Sequence, residues 1–144
     1  MTISPNNQHY KNYGQFVIGK SDSKSNEFDV LIFANRDVKT VAIPLFLTQI
    51  GPYSFSNSSL ENIKISHHIT HIGNGAFFSC DQLKIVDIPQ NSNLEEIGQY
   101  AFAFSSIESM FIPSHVKKLE ESIFSCCNNL HQVDISADSE MISI

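Results

Sequence analysis

Apolar residues in this chain fall into a block that recurs four times. It reads Ile50-Gly51-Pro52-Tyr53-Ser54-Phe55, Ile72-Gly73-Asn74-Gly75-Ala76-Phe77, Ile97-Gly98-Gln99-Tyr100-Ala101-Phe102 and Leu119-Glu120-Glu121-Ser122-Ile123-Phe124. The closing phenylalanines are 22, 25 and 22 residues apart. A period of this size predicts a stacked solenoid, in which no unit covers its own apolar face and each relies on its neighbours. Ahead of each block lies a second apolar series, Val38, Leu60, Leu83, Ile107 and Leu130, and each member opens a short alternating segment. The segments are Val41-Ala42-Ile43, Ile63-Lys64-Ile65, Val86-Asp87-Ile88, Met110-Phe111-Ile112 and Val133-Asp134-Ile135. Alternation of apolar and variable residues is the signature of a half-buried strand. Pro44, Pro89 and Pro113 follow three of these strands and end them, because proline has no N–H for a ladder.

A further apolar pair precedes each glycine: Leu47 with Ile50, Ile69 with Ile72, Leu94 with Ile97, Val116 with Leu119 and Met141 with Ile144. The pattern therefore predicts, per repeat, a parallel strand, a short second strand, a bend at glycine, and an inward Ala-Phe on a helical turn. The fold class is a mainly β repeat solenoid with a period of about 23 residues, a length typical of such repeats. Two departures stand out. Gln90-Asn91-Ser92-Asn93 adds a polar bulge expected on the surface, and Glu120 with Ile123 replaces the glycine and alanine of the fourth block, which predicts a looser bend. Residues 38–144 form the solenoid, with four repeats and an incomplete fifth. Residues 1–37 form an N-terminal cap: 1–12 are expected to be mobile, and 13–34 to hold a strand pair formed by Gln15-Phe16-Val17-Ile18 and Phe28 to Phe33.

Composition narrows the function. Hydrophobic residues make up 42% of the 144 and charged ones 17%, enough apolar material for a folded core. The net charge of −6, with 9 Lys and Arg against 15 Asp and Glu, repels phosphate backbones and argues against a nucleic-acid partner. No run approaches the ~20 apolar residues of a membrane span, and Met1 to Lys11 has no apolar signal-peptide core, so composition alone points to the cytosol. Cys80, Cys126 and Cys127 cannot complete a disulfide framework. Cys80 and Cys127 share a slot in repeats two apart, which at ~4.8 Å per turn separates their Cα atoms by about 10 Å, beyond the ~7 Å reach of a bridge. They are expected to be small buried thiols in tight turns.

Little in the chain points to reaction chemistry. His67, His68 and His71 approach a metal-ligand spacing, but they fall in the variable turn between the strands and no Cys, Asp or Glu completes the set nearby. There is no Gly-x-Ser-x-Gly elbow, and Gly73-Asn74-Gly75 lacks the third glycine and acidic partner of a dinucleotide loop. The pairs Glu95-Glu96 and Glu120-Glu121 sit in variable slots and read as a solvated face. The chain is therefore not expected to be an enzyme, and no cofactor or metal is implied. Asn57-Ser58-Ser59 is its only glycosylation sequon, relevant only on entry to a secretory pathway.

The segment Ile65 to Leu83, with Ser66 in the proline position, resembles the motif Ile-x-Ile-Pro-x-x-Val-x-x-Ile-Gly-x-x-Ala-Phe-x-x-Cys-x-x-Leu of the BspA-like surface-antigen family of leucine-rich repeats. Ile88 to Gly98 resembles a form common in its protist members. The resemblance covers about residues 38–144. It implies a right-handed solenoid, a cell-surface location and, in some relatives, adhesion to host proteins or cells. It transfers no site residues, because the shared positions are structural.

The leading expectation is thus a protein-binding module of the surface-antigen or adhesin type, whose ligand would be a host surface or matrix protein. An intracellular scaffold for an endogenous partner is the alternative. Between the inward residues of each strand, two outward columns are predicted: Ala42, Lys64, Asp87, Phe111, Asp134 and Thr40, Asn62, Ile85, Ser109, Gln132. Ile85 and Phe111 are their large apolar members. With Lys64, Asp87 and Asp134 as a polar rim, they make up the expected partner-binding site, with Phe111 as anchor. The fifth repeat stops before its glycine, which predicts either self-association through an open C-terminal turn or a chain cut from a longer protein.

Overall fold

The computed structural model describes residues 1–142, so Ile144 of the last apolar pair lies outside the described residues. Three lines of backbone pairing run along the stack. The first is a parallel sheet of β4 (Thr40–Ala42), β6 (Asn62–Lys64) and β8 (Ile85–Asp87), with Thr40, Asn62 and Ile85 in one register row and Ala42, Lys64 and Asp87 in another. β10 (Ser109–Ile112) and β11 (Gln132–Ile135) form a separate parallel pair in the following turns. The second line is the parallel ladder of β5 (Gln49–Ile50), β7 (His71–Ile72) and β9 (Glu96–Ile97).

The third line is the corner that carries the Ala-Phe block. It is a chain of reverse turns rather than the helical turn the sequence suggests. Ala76 N donates to Gly73 O, Phe78 N to Gly75 O and Cys80 N to Phe77 O, at 3.1, 2.9 and 3.2 Å. The intervening amides donate to the next turn instead: Gly75 N to Gln99 O, Phe77 N to Ala101 O and Ser79 N to Ala103 O, at 2.8–2.9 Å. Alternate amides thus serve the turn and the stack, and the buried backbone is satisfied without a helix. Left-handed residues at fixed slots, Tyr53, Gly75 and Tyr100 and then Asn57, Ser79, Phe104 and Cys126, break any helical run.

The core lies between these three lines. Phe55, Phe77 and Phe102 are fully buried, and their rings stack face to face, 5.2 and 5.1 Å apart and within 16° of parallel. Phe124 continues the column 6.1 Å from Phe102 and is half-buried. The column does not begin at Phe55. Phe16 meets Phe55 edge-on at 6.3 Å from within β2 (Phe16–Gly19). β2 pairs antiparallel with β3 (Val30–Ala34), which joins β5 in parallel, so the cap extends the second ladder. β1 (Tyr10–Tyr13) adds an antiparallel edge, so Tyr10 to Asn12, expected to be mobile, are paired. In the polar bulge Gln90, Asn91 and Asn93 are exposed, whereas Ser92 is buried with its Oγ accepting from Leu94 N at 3.2 Å.

Both sheets are interrupted between the third and fourth turns. In earlier turns the glycine amide closes the second ladder: Gly51 N to Leu31 O, Gly73 N to Ile50 O and Gly98 N to Ile72 O, each 2.8 Å. Glu120 makes no such bond to Ile97 among the described residues, and β8 and β10 belong to different sheets. The glycine column supplies the reason. Gly51, Gly73 and Gly98 do not have left-handed φ; a Cβ on Gly73 would lie 2.6 Å from Pro52 N, and one on Gly98 2.5 Å from Asn74 N. Close backbone approach, rather than bending, therefore demands glycine in this slot. Glu120 brings a Cβ to the same slot, and the fourth turn stands off from the third. Among the described residues, the backbone bonds between these turns are those of the corner, Phe102 N to Ile123 O at 3.1 Å and Phe104 N to Ser125 O at 2.8 Å.

Candidate interaction surface

The outward columns of the first sheet are built as the alternation requires. Val41, Ile63 and Val86 point into the core, leaving Thr40, Asn62, Ile85 and Ala42, Lys64, Asp87 on the outer face in register. Ile85 is 58% exposed, a large apolar side chain between polar neighbours. Phe111 behaves differently: it is half-buried and packs against the core. It also stands across the interruption between β8 and β10, so it shares no ladder with Ile85 and is not its continuous diagonal neighbour. Asp134 pairs in register with Phe111, and both its carboxylate oxygens accept from Gln132 Nε2, at 2.9 and 2.8 Å. Lys64, Ile85 and Asp87 thus lie in one ladder, and Phe111 and Asp134 in a second ladder on the adjoining strands β10 and β11. Val133 and Ile135, inward by pattern, are 38% and 42% exposed on β11.

The side chains with reactive potential are dispersed. His68 Nδ1 lies 2.7 Å from Leu45 O, and His71 Nδ1 lies 2.8 Å from Thr70 Oγ1. His67 contacts only the His68 ring edge among aromatic partners, and no group of three or more His, Cys, Asp or Glu could hold a metal ion among the described residues. A cleft of about 360 Å³ opens where the fourth turn stands off, lined by His71, Glu95, Glu96, His115, Lys117 and Glu120 among others. Its acidic and basic groups partly neutralise one another, with His71 Nε2 3.6 Å from Glu96 and Lys118 Nζ 2.9 Å from Glu120.

Cys80 and Cys127 are buried, as their slot suggests, and each thiol donates to the phenylalanine carbonyl of the preceding turn, Phe55 O at 3.1 Å and Phe102 O at 3.0 Å. Ser58 and Ser105 hold the same slot in alternate turns and contact the two thiols at 3.5 Å. Burial pushes the Cys80 thiol above its ordinary value and outweighs the Ser58 hydrogen bonds, so it stays protonated and unreactive. Cys126 is exposed. Asn57 of the sequon is exposed on a left-handed backbone.

A second exposed surface was not singled out by the repeat pattern. Tyr53, Tyr100 and Phe104 are 52%, 43% and 48% exposed at the corner, and Phe78 links two of them, 6.4 Å from Tyr53 and 5.4 Å from Phe104. Reading slots rather than inward positions would have found it: the aromatics occupy variable corner slots where the first strand face carries charge.

A model of the BspA-type leucine-rich-repeat region matches residues 20–144 in six copies. The match begins ahead of the boundary at residue 38 read from sequence and takes in β3, whose Leu31 holds the ladder position of Ile50, Ile72 and Ile97. A leucine-rich-repeat protein of Bacteroides capillosus superposes with a TM-score of 0.75 at 20% identity, over 89% of this chain and 99% of that one. A leucine-rich cell-surface protein of Faecalibacterium prausnitzii gives 0.66 at 20% identity, over 94% of this chain and 45% of that one. The pneumococcal vaccine antigen PcpA gives 0.66 at 16% identity, over 94% and 39%. The chain thus spans less than half the length of the last two, and at these identities the likeness is one of fold. No curated protein matches the sequence significantly. No helix among the described residues is long and apolar enough to cross a membrane.

Proposed function

The chain belongs to the BspA-type leucine-rich-repeat family, matched over residues 20–144, and we propose that it is a protein-binding module of the surface-antigen or adhesin type. The observation that carries this reading is the outer face of β4, β6 and β8. Its inward residues are spent on the core, while its outward rows hold Lys64 and Asp87 in register with Ile85 exposed beside them. A flat parallel face of this kind presents side chains at fixed spacing with little ordering cost on binding. An apolar anchor among polar neighbours is the composition of an interface hot spot. Ile85 takes the anchor position, with Lys64 and Asp87 as rim, because Phe111 spends much of its surface on the core. The ligand is a protein of host surface or matrix.

Two measurements test this. Intact native cells labelled with a membrane-impermeant biotin reagent are expected to yield the labelled protein; labelling only after lysis would favour the intracellular scaffold. With the captured ligand in hand, Ile85→Ala is expected to weaken binding by about 2 kcal/mol while leaving the unfolding midpoint unchanged. Unaltered affinity in that variant would move the site off this face.

A further inference from the structure

The aromatic corner is distinct from the strand face, and three features of it demand a reason. First, it is contiguous: Tyr53, Phe78 and Phe104 run in edge contact across three successive turns, with Tyr100 exposed in the same turn as Phe104. Single exposed aromatics are ordinary, but a joined patch marks a binding surface. Second, Tyr53, Tyr100 and Phe104 sit on left-handed backbone with φ of 53°, 58° and 59°. The chain places Gly75 and Asn57 at the equivalent slots of other turns, so residues that suit this conformation were open to it. Bulky rings are held there despite strain and despite exposure. Third, the corner's own turns carry no charge. Residues 52–58, 74–80 and 99–105 contain no Asp, Glu, Lys, Arg or His; charge stands only at the edges, with Arg36 donating to Ser54 O and Tyr53 O at 2.7 and 3.4 Å and Asp81 and Glu121 exposed beyond the rings.

The placing of charge selects among ligands. The edge charges, Arg36 against Asp81 and Glu121, are of both signs, so steering favours neither an anionic nor a cationic partner. A protein interface of comparable aromatic content has a polar rim that commonly includes charged groups. Here the groups between the rings are amides and hydroxyls: exposed Asn57, Asn74 and Gln99, with half-buried Ser79, and Arg36 stands at the edge. Flat rings bordered mainly by neutral hydrogen-bonding groups match the two faces of a sugar, whose C–H face stacks on aromatics while its hydroxyls take amide partners. Spacing agrees. Tyr53 and Tyr100 occupy one slot two turns apart, which at ~4.8 Å per turn is roughly 10 Å, close to the disaccharide repeat of an extended β-linked chain. The array is also rigid: the Tyr53 ring lies over Gly75, where an added Cβ would be 2.3 Å from it, and the corner amides are tied turn to turn.

We propose that the corner formed by Tyr53, Phe78, Tyr100 and Phe104 binds neutral polysaccharides with an extended β-linked backbone, stacking alternate sugar rings on the aromatic faces. This site is independent of the protein-binding reading, and its test leaves Ile85, Lys64 and Asp87 untouched.

The test is affinity electrophoresis of the full chain through gels containing hydroxyethylcellulose, arabinoxylan, galactomannan or glycol chitin. At least one polymer is expected to retard the protein, and added salt should not abolish the retardation. Tyr100→Asn and Phe104→Asn keep residues tolerant of left-handed φ, so each should hold the wild-type circular dichroism while weakening retardation about tenfold. Failure of all four polymers to retard the wild type would overturn the proposal. So would retardation that is equal in Tyr53→Asn/Tyr100→Asn, or that disappears in salt. Concentration-dependent mass in sedimentation, lost in the same double variant, would instead assign the corner to contact between copies of the chain.

Discussion

At the scale of single residues, one slot in each turn carries most of the fold's specificity, and its meaning depends on what the neighbouring turn places beside it. Phe102 is fully buried with a ring on either side, Phe77 at 5.1 Å and Phe124 at 6.1 Å. Truncation leaves a cavity that neither neighbour can fill, because both are tied to their own turns by corner hydrogen bonds. Phe102→Ala is therefore expected to cost about 3–5 kcal/mol, read as a lower denaturant midpoint. An unchanged midpoint would mean that the column is not continuous. The glycine slot acts through contact as well. Gly73 and Gly98 leave room for the backbone of the turn before them, so their replacement is felt across the stack rather than within one turn.

At the scale of elements, the antiparallel cap continues the second ladder into the first repeat through β3 and β5, and polar contacts secure both ends of β3. Asp29 accepts from Ser21 N at 2.8 Å and Ser21 Oγ at 2.5 Å, and from Thr48 Oγ1 at 3.2 Å, while its own carbonyl takes Thr48 N at 2.8 Å. Partial burial pushes the Asp29 carboxyl up, but the Ser21 and Thr48 hydrogen bonds together hold it below its ordinary value. A carboxylate with a lowered folded-state pKa stabilises the fold fully above its unfolded pKa, and this contribution is lost as pH falls through the folded value. Asp29→Asn keeps one acceptor and loses the charge. At neutral pH it should be less stable than wild type by about 0.5–1 kcal/mol, the value of charged hydrogen bonds reduced by the carboxylate's exposure to solvent. The gap should close on acidification below the ordinary carboxylate range. A melting-temperature difference that stays constant with pH would remove Asp29 from this role. Arg36 secures the other end: its guanidinium donates to Ser54 O at 2.7 Å, beside the Ala34 amide that serves the same carbonyl.

At the scale of the whole molecule, the backbone pairing of the stack divides between the third and fourth turns while one core continues through both, because Glu120 occupies a slot that holds glycine in the earlier turns. Glu120→Gly should let the fourth turn close on the third, with its amide donating to Ile97 O. The added hydrogen bond, worth about 1 kcal/mol, is largely offset by the entropy glycine loses on ordering, about 0.5–1 kcal/mol, so global stability changes little. The sensitive readout is local. Hydrogen exchange at residue 120 should slow by about tenfold or more, and β10 and β11 should gain protection relative to β4, β6 and β8. Unchanged exchange would place the cause of the interruption elsewhere. The sequence alone determined the period, the strands of the repeats, the buried phenylalanine column from Phe55 to Phe102, and the two outward rows of the first sheet. It could do so because every turn sees nearly the same surroundings, so identity of slot implies identity of burial. That the fourth turn departs from the rest was legible too, as a missing glycine, but its bend keeps the bond of the others, Ile123 N to Glu120 O at 3.2 Å, and the loss of pairing in both sheets was not legible. Only tertiary structure showed that a Cβ there would meet backbone about 20 residues away in sequence, that Phe16 heads the column from an antiparallel cap, and that Phe111 turns to the core. It also joined Tyr53, Phe78 and Phe104 into one surface, with Tyr100 exposed in the same turn as Phe104. Each of these rests on distances between turns, which are set by atoms in contact across the stack and are not written in any single repeat.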